Sequence, residues 1–197
     1  MTEVRRERAD AARNRRAILE AGERLLAEYP PEQVSMERIA AAAGVGKGTV
    51  FHRFGSRAGL MRELMVERAH ALREAVTDGP PPLGPGAAPR DRLLAFLDAV
   101  VDVVGRNKGL LAALGETVTA SCDAPDDARE QHSVYGFWHG HLRALIAEER
   151  PDLDAELLAH ILLSALQNGP VVRLLGQGEA QRLGASLRLL ATGALEA

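Results

Sequence analysis

Residues 44–57, GVGKGTVFHRFGSR, hold four glycines, three Lys/Arg side chains and two phenylalanines in fourteen positions. Two chemistries use such a stretch: a glycine-rich loop that cradles phosphate or catalyses, and a helix that reads DNA. The loop reading fails, because no strand precedes the glycines and the G-x-x-x-x-G-K-S/T spacing is absent. Upstream, Met36, Ile39, Ala40 and Ala43 recur at i, i+3, i+4 and i+7, which predicts a short helix. Ser35 is its N-cap, since its hydroxyl can accept an otherwise unpaired amide, and Gly44 ends it. A second short helix fits 47–54, with Gly46 before it. Ala40 is small enough to let two helices cross closely, and Val45 and Val50 anchor the second one. These are the packing requirements of a helix-turn-helix whose outer face enters a major groove. That face presents Lys47, Gly48, Thr49, His52 and Arg53, with Phe51 beside them. Lys and Arg supply charge and donors; Thr contacts a phosphate, a base edge or a thymine methyl. Ser35 and Arg57 stand at the starts of the flanking helices, where backbone amides and positive charge suit phosphates.

The whole chain supports a helical setting. Its 197 residues are 46% hydrophobic but only 4% aromatic, rich in Ala and Leu and poor in β-branched residues, a balance that favours helix. The expected class is all-α with about nine helices and no strand. No apolar run approaches the ~20 residues needed to span a bilayer, and the N-terminus MTEVRRERADAARNRR lacks the apolar centre of a secretory signal. The lone Cys122 cannot form an internal disulfide, which suits a reducing compartment. A cytoplasmic protein is expected. Net charge is −3, but unevenly spread: residues 1–62 hold twelve Lys/Arg against eight Asp/Glu, whereas 63–197 hold twelve against nineteen. A basic end on an acidic body fits a polyanion-facing head. It argues against a non-specific DNA-packaging protein, which relies on phosphate neutralisation throughout.

Apolar spacing places a first helix from about residue 13 to Pro30-Pro31, with 1–8 as a solvated tail. Ser56 caps a long helix to about Thr77. The segment 78–89, with five of the ten prolines, reads as a mobile connector. Beyond it come a helix over 90–105, a shorter piece at 110–114, a break at 121–127 and a long helix over 128–149. A nearly all-apolar stretch at 153–175 is expected to kink at Gly169-Pro170, since proline removes an amide, and a last helix covers 179–192.

With these elements in place, IAAAAGVGKGTVFHRFGSRAGL, residues 39–60, resembles the DNA-binding segment of the tetracycline-repressor (TetR) family. Its pattern is roughly I-A-x-x-A-G-V-S-x-G-T-L-Y-x-H/Y-F-x-S-K-x-x-L. Ile39, Ala40, Ala43, Gly44, Val45, Gly48, Thr49, Phe54, Ser56 and Leu60 match it as they stand. Phe51 stands where the family usually has a Tyr whose hydroxyl reaches a phosphate, and Gly46 replaces a usual Ser. The resemblance implies a helix-turn-helix domain over 1–57 and a helical effector-binding and dimerisation domain over 58–197. It implies a sequence-specific transcriptional regulator, a repressor released from a palindromic double-stranded DNA operator by a small molecule. It also implies a homodimer through the last two helices, about 153–192, whose wide apolar faces would form a four-helix bundle with their copies.

The larger domain offers fewer clues. Tyr135, Trp138, Leu142 and Leu145 share one helical face, which serves either as core or as a pocket wall. Tyr135, Trp138, His139 and Leu142 are the effector-pocket candidates. Metal binding is not expected. His139 and His141 point apart on a helix, and His132 and His139 lie about 10.5 Å apart along its axis. Cys122 has no orienting base for a nucleophilic role. An all-helical enzyme with a helix-turn-helix-like segment would need an acid–base or metal set that the chain does not offer. No cofactor is expected.

Overall fold

The computed structural model describes residues 2–113 and 125–196, with side chains over 10–111 and 133–196. Nine α-helices and two short 3-10 turns make up the secondary structure of those residues, which contain no strand. The chain forms two compact units, Met1–Glu67 and Arg68–Ala197. The division falls inside the fourth helix, ten residues after the boundary expected from sequence at 57/58.

The first unit contains α1 (Thr2–Glu28), a 3-10 turn (Pro31–Gln33), α2 (Met36–Ala43), α3 (Lys47–Phe54) and the first half of α4 (Arg57–Asp78). Residues 1–8 were expected to be a solvated tail, yet α1 begins at Thr2. Residues 2–12 contain Glu, Arg and Ala, which favour helix, and no Gly or Pro; a solvated helical turn leaves no apolar period to read. Ile18, Leu19 and Ala21 of α1 pack with Val34, Met36, Ile39, Val50, Phe54, Leu60, Met61 and Leu64 in the buried interior. Arg15 bridges from α1 to α4, donating to Glu63 at 2.6 Å and Glu67 at 3.3 Å.

The second unit holds the rest of α4, then α5 (Pro89–Ala113), α6 (Pro125–Glu149), α7 (Ala155–Ser164), α8 (Gly169–Gly176) and α9 (Ala180–Glu196). Phe96, Leu97, Val100, Leu142, Leu145, Ile146, Leu163 and Leu187 form its core. Three expectations change here. The segment 78–89 is folded into consecutive turns: the Gly84 amide donates to the Pro80 carbonyl at 2.9 Å, and Leu83 packs on the core. The helix expected to stop at 105 runs unbroken to 113, because Gly105 is a packing residue. A Cβ there would lie 2.9 Å from the Ala180 Cβ, so its absence lets α9 approach α5.

The third change concerns the apolar stretch 153–175, which is two helices rather than one kinked rod. A 3-10 turn (Ala165–Gln167) ends α7, Asn168 is extended, and α8 starts with Pro170 in its first turn, where a missing amide costs nothing. The two pieces are bent by 56°. Among the described residues no single helix is long and apolar enough to cross a membrane. Cys122 and residues 121–124 of the expected break lie outside the described residues, as does the His132 side chain; residues 125–127 open α6.

Candidate nucleic-acid interface

Each feature of the quoted stretch has a local cause. The Ser35 hydroxyl accepts from the Arg38 amide at 3.2 Å and starts α2. Gly44 closes it in the left-handed region, with φ 68°, where an L side chain is strained. The Val45 amide then reaches back to the Ala40 carbonyl at 3.0 Å. Two residues later α3 begins. Val50 is fully buried and Phe54 nearly so, one helical turn apart, and they fix α3 against the rest of the unit.

With that face committed, the other face is outward. Lys47, Gly48, Thr49, Phe51, His52 and Arg53 are all exposed. Phe51 is 39% exposed, an unusual cost for a large aromatic, and the Lys47 ammonium lies 5.4 Å from its ring centre. Among the described residues Thr49, His52 and Arg53 make no side-chain bond to another protein group. Lys47 pairs with Glu37 at 2.5 Å, and this contact holds the Glu37 carboxyl below its usual pKa. Glu37 was not foreseen: an acid on α2 neutralises the first cation of α3, and only the angle between the two helices brings them together.

The two flanking candidates have structural duties. Ser35 is spent on the α2 cap. Arg57 is a correction to the expected phosphate contact: its Nε donates to the Val34 carbonyl at 3.1 Å and its guanidinium also bonds the Pro31 carbonyl. It fastens the start of α4 to the turn before α2, where the Pro31 carbonyl also accepts from the Val34 amide at 3.1 Å. Arg38 is likewise turned inward, over the Tyr29 ring at 4.0 Å.

The four effector-pocket candidates take different positions on α6. Leu142 is completely buried in the core, since α6 packs on both α5 and α7. Tyr135 and His139 face α7: the Tyr135 hydroxyl is 2.7 Å from His160 Nδ1, and His139 stacks on His160 at 3.8 Å. Trp138 is half-buried, and its Nε1 has no hydrogen-bond partner among the described residues. A shallow groove of about 310 Å³ lies elsewhere, lined by Pro82, Asp91, Leu94, Ala95, Asp98 and Arg188. No cluster of three or more metal-ligating side chains occurs among the described residues.

Two short helices crossing at a glycine turn, the second anchored on one face and polar on the other, define a helix-turn-helix nucleic-acid-binding domain in an all-helical protein. Residues 18–64 match the family described as bacterial regulatory proteins, tetR family. The match to that family lies within this first unit. The HTH-type transcriptional repressor AcnR of Corynebacterium glutamicum is 34% identical over 65 residues, which is 33% of this chain and 35% of that protein. The matched region thus spans about a third of that relative. Solved structures extend the likeness in fold to both units. A transcriptional regulator from Rhodococcus sp. Rha1 has a TM-score of 0.61 at 19% identity, covering 92% of this chain and 96% of its own. One from Saccharomonospora viridis, in complex with choline, has a TM-score of 0.59 at 21% identity, covering 92% and 95%.

Proposed function

We propose that the chain is a sequence-specific transcriptional regulator that binds double-stranded DNA as a homodimer, represses, and is released by a small molecule held in the second unit. The observation that carries the DNA reading is the outward face of α3. It places a cation, a hydroxyl, an imidazole and a guanidinium within two turns, and most of them have no side-chain partner among the described residues. A helix of eight residues has the width to lie in a major groove, and its N-terminal residues are the ones that reach base edges. Lys47 and Arg53 supply phosphate contacts; Thr49 and His52 read bases; Phe51 offers its ring to a thymine methyl or a sugar. Arg57 and Ser35 hold the frame.

A dimer is supported by apolar side chains that face solvent on the last helices. Leu157 and Ile161 lie one turn apart on α7, each 55% exposed, and Leu189 and Leu190 of α9 are 74% and 64% exposed. Burying such residues against a second copy recovers about 25 cal/mol per Å² of apolar area. One eight-residue head reads too few base pairs to discriminate sites, and a twofold pair reads two half-sites about 34 Å apart. Repression is carried over from AcnR, and effector release from the family.

The test combines selection of bound fragments from genomic DNA with gel shifts on the recovered site. Lys47→Ala should weaken binding to all duplexes and lower the salt slope by about one. Thr49→Ala and His52→Ala should each cost about 1–3 kcal/mol at one base pair and relax preference there. Leu189→Glu with Leu190→Glu should yield a monomer by sedimentation and lose the twofold site. Wild-type protein that ignores every duplex at low salt, or variants that all bind alike, would overturn the reading.

A further inference from the structure

Three rings are packed where α6 meets α7. Tyr135 and His139 stand one turn apart on α6, and His160 comes from α7. The His139 and His160 imidazoles lie face to face with centres 3.8 Å apart, at van der Waals contact. Tyr135 stacks alongside both, 6.1 Å from His139 and 5.9 Å from His160. His139 Nε2 is 3.2 Å from the Glu156 carbonyl, and a carbonyl only accepts. That nitrogen therefore carries a hydrogen, and a further proton goes to Nδ1. The Tyr135 hydroxyl, 2.7 Å from His160 Nδ1, can donate to a bare nitrogen or accept from a protonated one. Protonation breaks neither hydrogen bond. It acts on the stack.

Two imidazolium rings at 3.8 Å repel, and even at the dielectric constant of bulk water the first proton disfavours the second about sixfold. Along the two helices the neighbouring charges have opposite signs: Arg143 is one turn beyond His139 on α6, and Glu156 one turn before His160 on α7. Asp154 is committed to the α7 cap, and the 3-10 turn Ala165–Gln167 brings no titratable side chain. Where α5 packs on α6, the histidine that meets it is His141, against Phe96. His160 is exposed on the outward side of α7, beside Leu157 and Ile161, each 55% exposed. Spacing of three and one residues puts all three on one side of the helix. A second copy seated on those two apolar side chains covers the imidazole as well. Covering a neutral ring costs little, whereas covering an ion is opposed by its lost hydration.

We propose that Tyr135, His139 and His160 form a proton-sensitive switch on the face of α7 that a second copy covers: with both imidazoles neutral two copies associate, and with a proton on each pair they separate. The switch rests on the reading of this face as a homodimer surface. Its sign follows from linkage. Separate copies bind more protons than the dimer, so association is at full strength above the ordinary imidazole range, about pH 6.5, and weakens as pH falls through it. One proton excluded per copy makes two per dimer. The dimer dissociation constant then rises about a hundredfold between roughly pH 7.5 and 5.5.

The experiment is sedimentation of the full chain at steps between about pH 7.5 and 5.5 at one ionic strength, with circular dichroism at each step to follow the helices. Wild type should lose association about a hundredfold with its helical signal intact. His139→Gln combined with His160→Gln should keep the dissociation constant within about threefold across the range. His70→Gln, on α4, should follow wild type. Histidine signals in nuclear magnetic resonance supply a second measurement. Those of His139 and His160, assigned by their loss in the single Gln variants, should titrate in two separated steps. Superposed steps would show that the rings do not feel each other's charge, and would overturn the switch. A wild-type dimer whose affinity is flat across the range, or acid dissociation that persists in the double variant, overturns it too and leaves the homodimer standing. A chain that is monomeric at every pH removes the homodimer reading and the switch together.

Discussion

Two helices of this chain carry nearly the same vocabulary and use it in opposite ways. In α3 the run is KGTVFHRF; in α6, residues 135–141 read YGFWHGH. Both mix aromatics, glycines and histidines. α3 is eight residues long and buries only Val50 and Phe54, so its polar side chains face water. α6 is 25 residues long and lies among α4, α5 and α7, so its rings meet different neighbours. His52 of α3 is exposed and makes no side-chain bond among the described residues, whereas the His141 ring of α6 meets both Phe96 and Phe137. The number of neighbours a helix has, more than the residues it carries, decides whether a histidine is a reader of something outside or a part of the wall.

The sharpest way to break the comparison is to remove an anchor of α3. Phe54→Ala should destabilise the first unit by about 3–5 kcal/mol, since it opens a cavity beneath the recognition helix. Denaturant unfolding followed by circular dichroism should split into two transitions, with the second unit unmoved. A single shifted transition would mean that the two units unfold together.

A middle-sized effect belongs to α6. Burial, with a smaller contribution from the Arg92 charge, pushes the His141 pKa down to about 4. The unfolded chain takes up a proton near pH 6.5 that the folded one refuses, so stability is full above that pH and falls as pH drops toward about 4. After discounting for its half-exposed ring, the loss is on the order of 1–2 kcal/mol. Thermal melts across this range should steepen at the acid end for wild type, and His141→Phe should flatten that part of the profile. An unchanged profile would show that His141 titrates as it does in the unfolded chain.

The smallest effect sharpens the α3 side. Glu37 holds Lys47 in an exposed ion pair, and such pairs contribute little to stability. Glu37→Gln should leave the melting temperature unchanged and tighten duplex binding, because Lys47 no longer has to leave a carboxylate before meeting a phosphate. The gain should vanish in a Lys47→Ala background. Weaker binding in Glu37→Gln would mean that the acid positions Lys47 rather than competing for it.

How much was legible beforehand follows from these contacts. Ser35, Gly44, Val50 and Phe54 could be placed from sequence because caps, left-handed turns and i, i+4 anchors act over one or two turns. Arg57 could not, since its partners at Pro31 and Val34 are more than twenty residues away in the chain. The contacts of Arg73 with Phe137 and of His141 with Phe96 escaped for the same reason, since each joins two different helices. Leu142 shared a face with Tyr135 and Trp138 as expected. What periodicity does not say is whether such a face meets a cavity or a core.

The linear chain by itself therefore determined the helical class, the helix-turn-helix and the residues on the outer face of α3, because those depend on local hydrogen bonding and on spacing along one helix. Tertiary structure alone decided the inward turn of Arg57, the pairing of Lys47 with Glu37, the bend between α7 and α8 and the contacts of Phe137 with Arg73 and of His141 with Phe96. Those depend on the positions of distant segments, and the free energy that fixes them comes from burying whole faces against each other rather than from any short run of residues.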